Sequence, residues 1–431
     1  MTRPEPDATT APSPDTAPAG GPASRPRKPS PLLRLVGASG DPVVDAADEL
    51  VDRYMAAADA DNTTRTYASA WKRFADWCAA TGHTALPAEP RTVARYLAVA
   101  ADDTACPIAK ETFTVWVAAI ARVHSDARLP DPTADATVRR TVRGIRRTRT
   151  QAGETSSQAP ALTLAPLQDV LTHIHGHART WRQQVAARRD IAALVLMYAA
   201  GLRRSEALGL QLGDLSVVEG PDPQQPRLRI RLRGSKTSQD AVEYLYLQRG
   251  TGDALWCPWC ALIRWQAVLT AADEAAAAAR ARLRAAGHPD TDLDTGEAAA
   301  RIRDGASIAV QRLLRGDATD PHRHRCTGDW PAPHRARAQL FRPVSGGGLP
   351  HDPRAALTGQ ALGRMITARA QAAGAGAARG HSLRAGIATW MYDNGATDAE
   401  VMAKGRWKRV ETAQRYDRHR AQRSASAPTG L

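Results

Sequence analysis

One short stretch sets the limits on what this chain can fold into. Arg227–Arg233 reads RLRIRLR, a strict alternation of Arg with Leu or Ile. Successive side chains of an extended strand point to opposite faces, so Leu228, Ile230 and Leu232 share an apolar face and four arginines the other. Ala241–Gln248 (AVEYLYLQ) is the expected partner strand. The intervening GSKTSQD reads as a hairpin loop with Lys236 at its tip. Nowhere else is a period of two convincing. Apolar residues elsewhere recur at spacings of three and four, so the expected fold is mainly α with one small antiparallel sheet.

The helical signal divides the chain. Residues 1–44 are rich in Pro, Ala, Ser and Thr and cannot bury enough apolar surface to order themselves. From residue 45 to 149 four helices are expected. In the first, Tyr67, Trp71, Phe74 and Cys78 share a face, with Asn62-Thr63-Thr64 as N-cap and Gly82 as stop. Pro87 and Pro90 precede the second, RTVARYLAVAA. The third spans Lys110–Ala127, and the fourth, DATVRRTVRGIRRTRT, is very basic. Outward-facing Arg65, Lys72, Arg73, Arg139, Arg140, Arg143, Arg146 and Arg147 are candidate phosphate contacts; a bundle with a merely solvated basic face is the competing reading. Residues 150–160 read as a linker, 161–420 as a larger α-rich domain, and 421–431 as a second tail. Residues 271–338, Ala-rich and then loop-like, look like an insertion into the larger domain.

Composition bears on partners and compartment. Against 44 Asp+Glu stand 58 Lys+Arg, a formal net charge of +14, which favours a nucleic-acid partner. No run of about 18 uncharged apolar residues exists, so no membrane span is expected. The N-terminus lacks the apolar core of a secretory signal, and a cytoplasmic protein is expected. Five cysteines in so long a chain do not make a disulfide framework. Cys257, Cys260 and Cys326, with His322 and His324, are enough ligands for zinc. The favoured reading of Cys257-Pro-Trp-Cys260 is instead a helix start at Pro258 running into the core, with no metal.

The chemistry gathers in GHSLRAGIATWMYDNGATDAEVMAKGRWKRVETAQRYDR, from Gly380 to Arg418. His381 and Arg384 stand three apart and share a helix face. Trp407 and Tyr416 follow on two further short helices. Such a set suits attack on a phosphodiester: cations and N–H donors grip the non-bridging oxygens while a side-chain nucleophile lies in line with the leaving group. Upstream, YAAGLRRSEALGL places Arg203 and Arg204 after a buried helix and a glycine. Neighbouring helical residues point roughly 100° apart, so one of the two faces the site. Arg204 is expected to make a salt link, and Glu206, Tyr198 and Tyr392 to be structural.

GLRRSEALGL, a hairpin lysine, HSLR, GRW and RYDR, in that order, resemble the tyrosine recombinase (phage integrase) family over residues 45 to 420. The resemblance implies a SAM-like, core-binding helical domain ahead of a catalytic domain of the DNA breaking–rejoining fold. It implies that Arg203 and Arg384 grip the scissile phosphate and that His381 helps move the proton of the attacking Tyr416. Trp407 would donate its indole N–H, and Lys236 would protonate the departing 5′-oxygen. It implies a 3′-phosphotyrosyl intermediate that needs no cofactor. The partners implied are double-stranded DNA, a homotetramer on two sites, and an accessory DNA-bending or directionality factor. The outcome would be integration or excision of a mobile element. A type IB topoisomerase and a non-catalytic DNA-binding protein on the same fold are the alternatives.

Overall fold

A computed structural model describes residues 47, 50, 51, 53, 54, 61–105, 108–154, 159–222, 225–235, 238–316 and 321–419. The expected tails, linker residues 155–158 and Lys236 lie outside the described residues. The chain divides into two compact units, residues 1–157 and 158–431.

Among the described residues of the first unit, helices α1 (Asp61–Thr81), α2 (Pro90–Asp102), α3 (Lys110–Asp126) and α4 (Ala136–Gln151) enclose a core. Phe74, Leu97, Phe113, Ile120 and Val138 are buried between them, and Tyr96 stacks on Trp116. Helix α1 spans Asp61–Thr81, so the expected cap residues Asn62, Thr63 and Thr64 lie at its N-terminal end, within the helix. The first turn has unpaired N–H groups in any case, so polar short-chain residues are tolerated there. Gly82 ends α1 at φ +71°, where a side chain would be strained. Pro90 opens α2, and the Asp135 carboxylate accepts from Thr137 N at 2.7 Å to cap α4. Buried His124 bridges Ala88 N and Ile120 O, pinning the α1–α2 connection to α3.

The second unit begins with α5 (Leu164–Gly176), α6 (Trp181–Ala199) and the short α7 (Arg204–Leu208). A three-stranded antiparallel sheet follows, β1 (Leu215–Val218), β2 (Arg227–Ser235) and β3 (Ser238–Leu247), in that spatial order. Ile230 is the centre of the register, opposite Leu215 and Leu245. Leu228, Ile230 and Leu232 are buried as the alternation requires. On the other face Arg231 and Arg233 both bind the buried Asp214 carboxylate, at 2.9 and 2.8 Å. The hairpin is tighter than expected, because Ser235 already pairs with Ser238.

Helix α8 (Pro258–Ala285) and α9 (Gly296–Gly316) form a long hairpin. The expected insertion therefore starts inside a core helix. Trp259, Trp265 and Leu269 bury the first half of α8, and Trp265 Nε1 donates to Leu340 O at 2.7 Å. The Ala-rich second half extends beyond this core and closes a small one of its own with Leu283, Leu293, Ala298 and Ile302. At the base Arg342, wholly buried, makes two 2.9 Å bonds to Asp273, which also binds His334.

The last elements are α10 (Gly359–Ala372), α11 (Ser382–Asp393), α12 (Asp398–Gly405) and α13 (Val410–Gln414). Helix α11 is enclosed on nearly every side. At Gly386 it passes so close to Leu162 that a Cβ would stand 1.8 Å from the Leu162 carbonyl oxygen. Among the described residues no helix is long and apolar enough to cross a membrane.

Candidate active site

Four elements of the second unit converge on one spot. Helix α6 stops at Gly201, whose φ of +57° turns the chain sharply into α7. A side chain there would meet Lys404 O at 3.2 Å, so the glycine also lets the end of α12 approach. Arg203 sits on this turn. Its backbone N–H donates to Glu206 Oε2 at 2.8 Å, and its guanidinium to Glu206 Oε1 at 2.5 Å.

Arg384, one turn into α11, is wholly enclosed. It donates to Gly201 O at 2.6 Å and to Gly405 O, and its guanidinium lies 4.8 Å from the centre of the Trp407 ring. Its Nε has no hydrogen-bond partner among the described residues. Trp407 in turn stacks on Tyr416, ring centres 5.0 Å apart and planes 26° apart. The Tyr416 hydroxyl is 2.8 Å from His381 Nε2, and the Tyr416 carbonyl accepts from Thr389 Oγ1 at 3.0 Å. Guanidinium, indole, phenol and imidazole thus form one contiguous series.

The charges follow from this packing. Burial raises the Tyr416 pKa although Arg384, Arg415 and Arg203 pull it down, so the resting phenol keeps its proton. At His381 the surrounding protein removes water from part of the ring, and Arg384 and Arg203 repel a further positive charge. Its pKa falls below the ordinary value and the imidazole is neutral at pH 7. A neutral imidazole facing a phenolic hydroxyl at this distance can accept its proton.

Two residues that the motif analysis did not assign to this site hold it together. Glu206 is buried, yet stays ionised because Arg406 and Arg203 outweigh the cost of burial. It binds Arg203 and Arg406 and stands 3.9 Å from Arg384. Arg406 caps α12 in the left-handed region at φ +50°, unusual for a residue with a side chain. It reaches the Ala200 and Gly201 carbonyls and Glu243 on β3. An arginine at a helix end where glycine is usual was the available signal.

The other expected residues are placed as follows. Arg204 makes no ion pair among the described residues; it packs on Gly359, Gly363 and Gly380, where side chains would crowd it. Tyr392 bonds Asp398 at 2.7 Å in a small core, and Tyr198 is buried in the main one. Lys236 falls outside the described residues, between β2 and β3. Arg65, Lys72, Arg73, Arg139, Arg140, Arg143, Arg146 and Arg147 belong to the first unit and are all exposed. Lys72 pairs with Asp76, and Arg146 with Thr114. Pro258 starts α8 as expected, and Cys257, Cys260 and Cys326, buried in the main core, converge with His324. His322 turns away to Asp253.

Over 160 residues the chain is 32% identical to an integrase/recombinase XerD homologue of Selenomonas ruminantium. The chain resembles the tyrosine recombinases. The match covers 36% of this chain and 43% of that relative, so less than half of the relative's length is spanned. No protein-family model matches. Among solved structures, the XerH site-specific recombinase bound to its difH substrate is 14% identical, with 84% of this chain and 79% of that one covered at a TM-score of 0.42. XerA recombinase is 13% identical, with 88% and 96% covered at a TM-score of 0.31. The Tn1549 transposon integrase in complex with a circular-intermediate DNA is 13% identical, with 78% and 85% covered at 0.35.

Proposed function

We propose that the chain is a site-specific DNA recombinase that cuts and rejoins strands through a covalent bond between Tyr416 and a 3′-phosphate. The observation that carries this reading is the 2.8 Å approach of the Tyr416 hydroxyl to neutral His381, beside Trp407 and within the field of Arg384 and Arg203. A phenol becomes a nucleophile when its proton has somewhere to go, and the anion that forms is stabilised by nearby guanidiniums. The same guanidiniums suit the extra negative charge on the non-bridging oxygens during attack. The departing 5′-oxygen needs a proton, and Lys236 on the β2–β3 hairpin is the residue assigned to supply it. Exchange of one phosphoester for another leaves the strand ready to be resealed without an external energy source.

The exposed arginines of α1 and α4 are assigned to the duplex backbone, which they would hold without reading its sequence. Domain limits of 45–149 and 161–420, a tetramer across two sites, an accessory bending factor, residence in the cytoplasm and mobile-element integration or excision complete the reading.

The test is a half-site DNA carrying a nick close to the cleavage position, so that the short 5′-product diffuses away and the adduct is trapped. Wild-type protein forms a denaturant-resistant protein–DNA adduct. Tyr416→Phe forms none while binding the same duplex within about twofold, because the phenol contributes chemistry and not affinity. An adduct that survives Tyr416→Phe refutes the nucleophile assignment. A protein that binds DNA tightly and never forms an adduct is instead a non-catalytic binder.

A further inference from the structure

Away from the site just described, the structure assembles a second set of reactive side chains from distant parts of the sequence. Cys257 and Cys260 stand at the start of α8; His324 and Cys326 lie on the segment that returns from α9. Cys257 Sγ is 3.9 Å from Cys326 Sγ, and His324 Nδ1 is 3.5 Å from Cys260 Sγ and 3.4 Å from Cys326 Sγ. All four ligand atoms lie within 4.8 Å of one another. A tetrahedral ion with metal–sulfur bonds of about 2.3 Å and metal–nitrogen bonds of about 2.0 Å separates its ligand atoms by roughly 3.5 to 3.8 Å. These spacings fit one ion. They do not fit a disulfide, whose sulfurs are about 2.05 Å apart.

The surroundings are built for the same purpose. His324 Nε2 lies 2.7 Å from Gly252 O, and donating there leaves the Nδ1 lone pair directed at the thiols. Gly250 N donates to Cys257 Sγ and Arg325 N to Cys260 Sγ, each at 3.3 Å, as suits sulfurs that carry negative charge. A Cβ at Gly250 would stand 3.1 Å from Cys257, a tight approach. Arg264 on α8 binds the carbonyls of Pro321 and Arg323, which fixes the return segment against the helix. The three sulfurs are buried, and thiolates packed this closely without a cation would repel one another.

We propose that Cys257, Cys260, His324 and Cys326 bind one zinc ion as a structural site. Three thiolates and an imidazole are a soft donor set that favours zinc over magnesium or calcium. Four protein ligands leave no position for a substrate, so the ion serves the fold and not catalysis. It joins the first turn of α8 to the chain beyond α9 and so closes the long loop that contains the helical hairpin. Bridges across long loops remove the most freedom from the unfolded chain.

The full-length protein, purified under reducing conditions without chelator, is analysed for metal by mass spectrometry and then exchanged into cobalt(II). The expected result is about one zinc per chain, released when the thiols are titrated with a mercurial. The cobalt form should show a thiolate charge-transfer band and the intense visible bands of tetrahedral cobalt. His324→Ala should weaken metal binding on the order of tenfold or more and shift these bands, whereas His322→Ala should match wild type. Cys326→Ser should lower the charge-transfer intensity. Reduced wild-type protein that contains no zinc and takes up neither zinc nor cobalt overturns the proposal, and this needs no variant to fold. Cobalt bands unchanged in both His324→Ala and Cys326→Ser overturn it as well. DNA adduct formation is read separately, so a failure here leaves the assignment of Tyr416 untouched.

Discussion

At the scale of single residues, the proton on Tyr416 and the vacant lone pair on His381 set how cleavage should respond to pH. The imidazole accepts only when neutral. Its pKa is depressed by burial and by Arg384 and Arg203, so the accepting form persists to lower pH than for a free histidine. The acid limb of single-turnover cleavage should therefore have its midpoint below about 6.5, the value of unperturbed histidine. His381→Gln should abolish that limb and slow cleavage, measured as adduct formation across pH 5 to 8 on the order of minutes. Arg406 gives a second residue-scale prediction. Arg406→Ala loses the ion pairs and keeps the left-handed strain; Arg406→Gly loses the pairs but sheds the strain. Ala should be less stable than Gly by about 1 kcal/mol in urea unfolding, and both should fall below wild type. The residue types of the candidate site were legible because attack on a phosphodiester would demand them. Glu206 and Arg406 were not assigned because their work is to hold other residues, and nothing in local sequence shows which buried carboxylate three arginines will share.

At the scale of elements, helix α11 depends on how closely it passes Leu162. Gly386→Ala puts a Cβ into a backbone carbonyl, which can yield only if the helix moves. It should cost about 1 to 3 kcal/mol or more, and the shift should carry His381 and Arg384 away from Tyr416. Gly144→Ala, mid-helix in α4 with open space around it, should instead stabilise by roughly 0.5 to 1 kcal/mol. Thermal unfolding of the two variants separates crowding from helix propensity. Elements with a strong period were readable: α4 as the very basic fourth helix, and β2 with its alternating Leu228, Ile230 and Leu232. Strand β1 was not, since Leu-Ser-Val-Val is too short to show a period and is strand only because β2 lies beside it. The passage of α8 through the expected insertion boundary was also hidden. The helical spacing continues there while the partner changes from main core to hairpin.

At the scale of the whole molecule, contacts between distant stretches decide what sequence alone can reveal. The two cores were visible as two runs of helical pattern on either side of a Pro-, Ser- and Thr-bearing break. The ligands of the Cys–His cluster were named from the sequence, but their convergence was not decidable there, because its halves are more than 60 residues apart. Only the return of α9 onto the start of α8 makes neighbours of them. Tyr416 is likewise brought to His381 across 35 residues by two short helices and a bond from Thr389.

That last contact lies within a single chain, and it bears on assembly. On the proposed reading, the chain would hold its attacking group beside its own base, so any partner copy would serve alignment and exchange, not the loan of a nucleophile. Two crippled proteins should then be unable to rescue each other. A mixture of Tyr416→Phe with Arg203→Ala, in which a borrowed phenol would restore one intact centre, should stay as inactive in adduct formation as either variant alone.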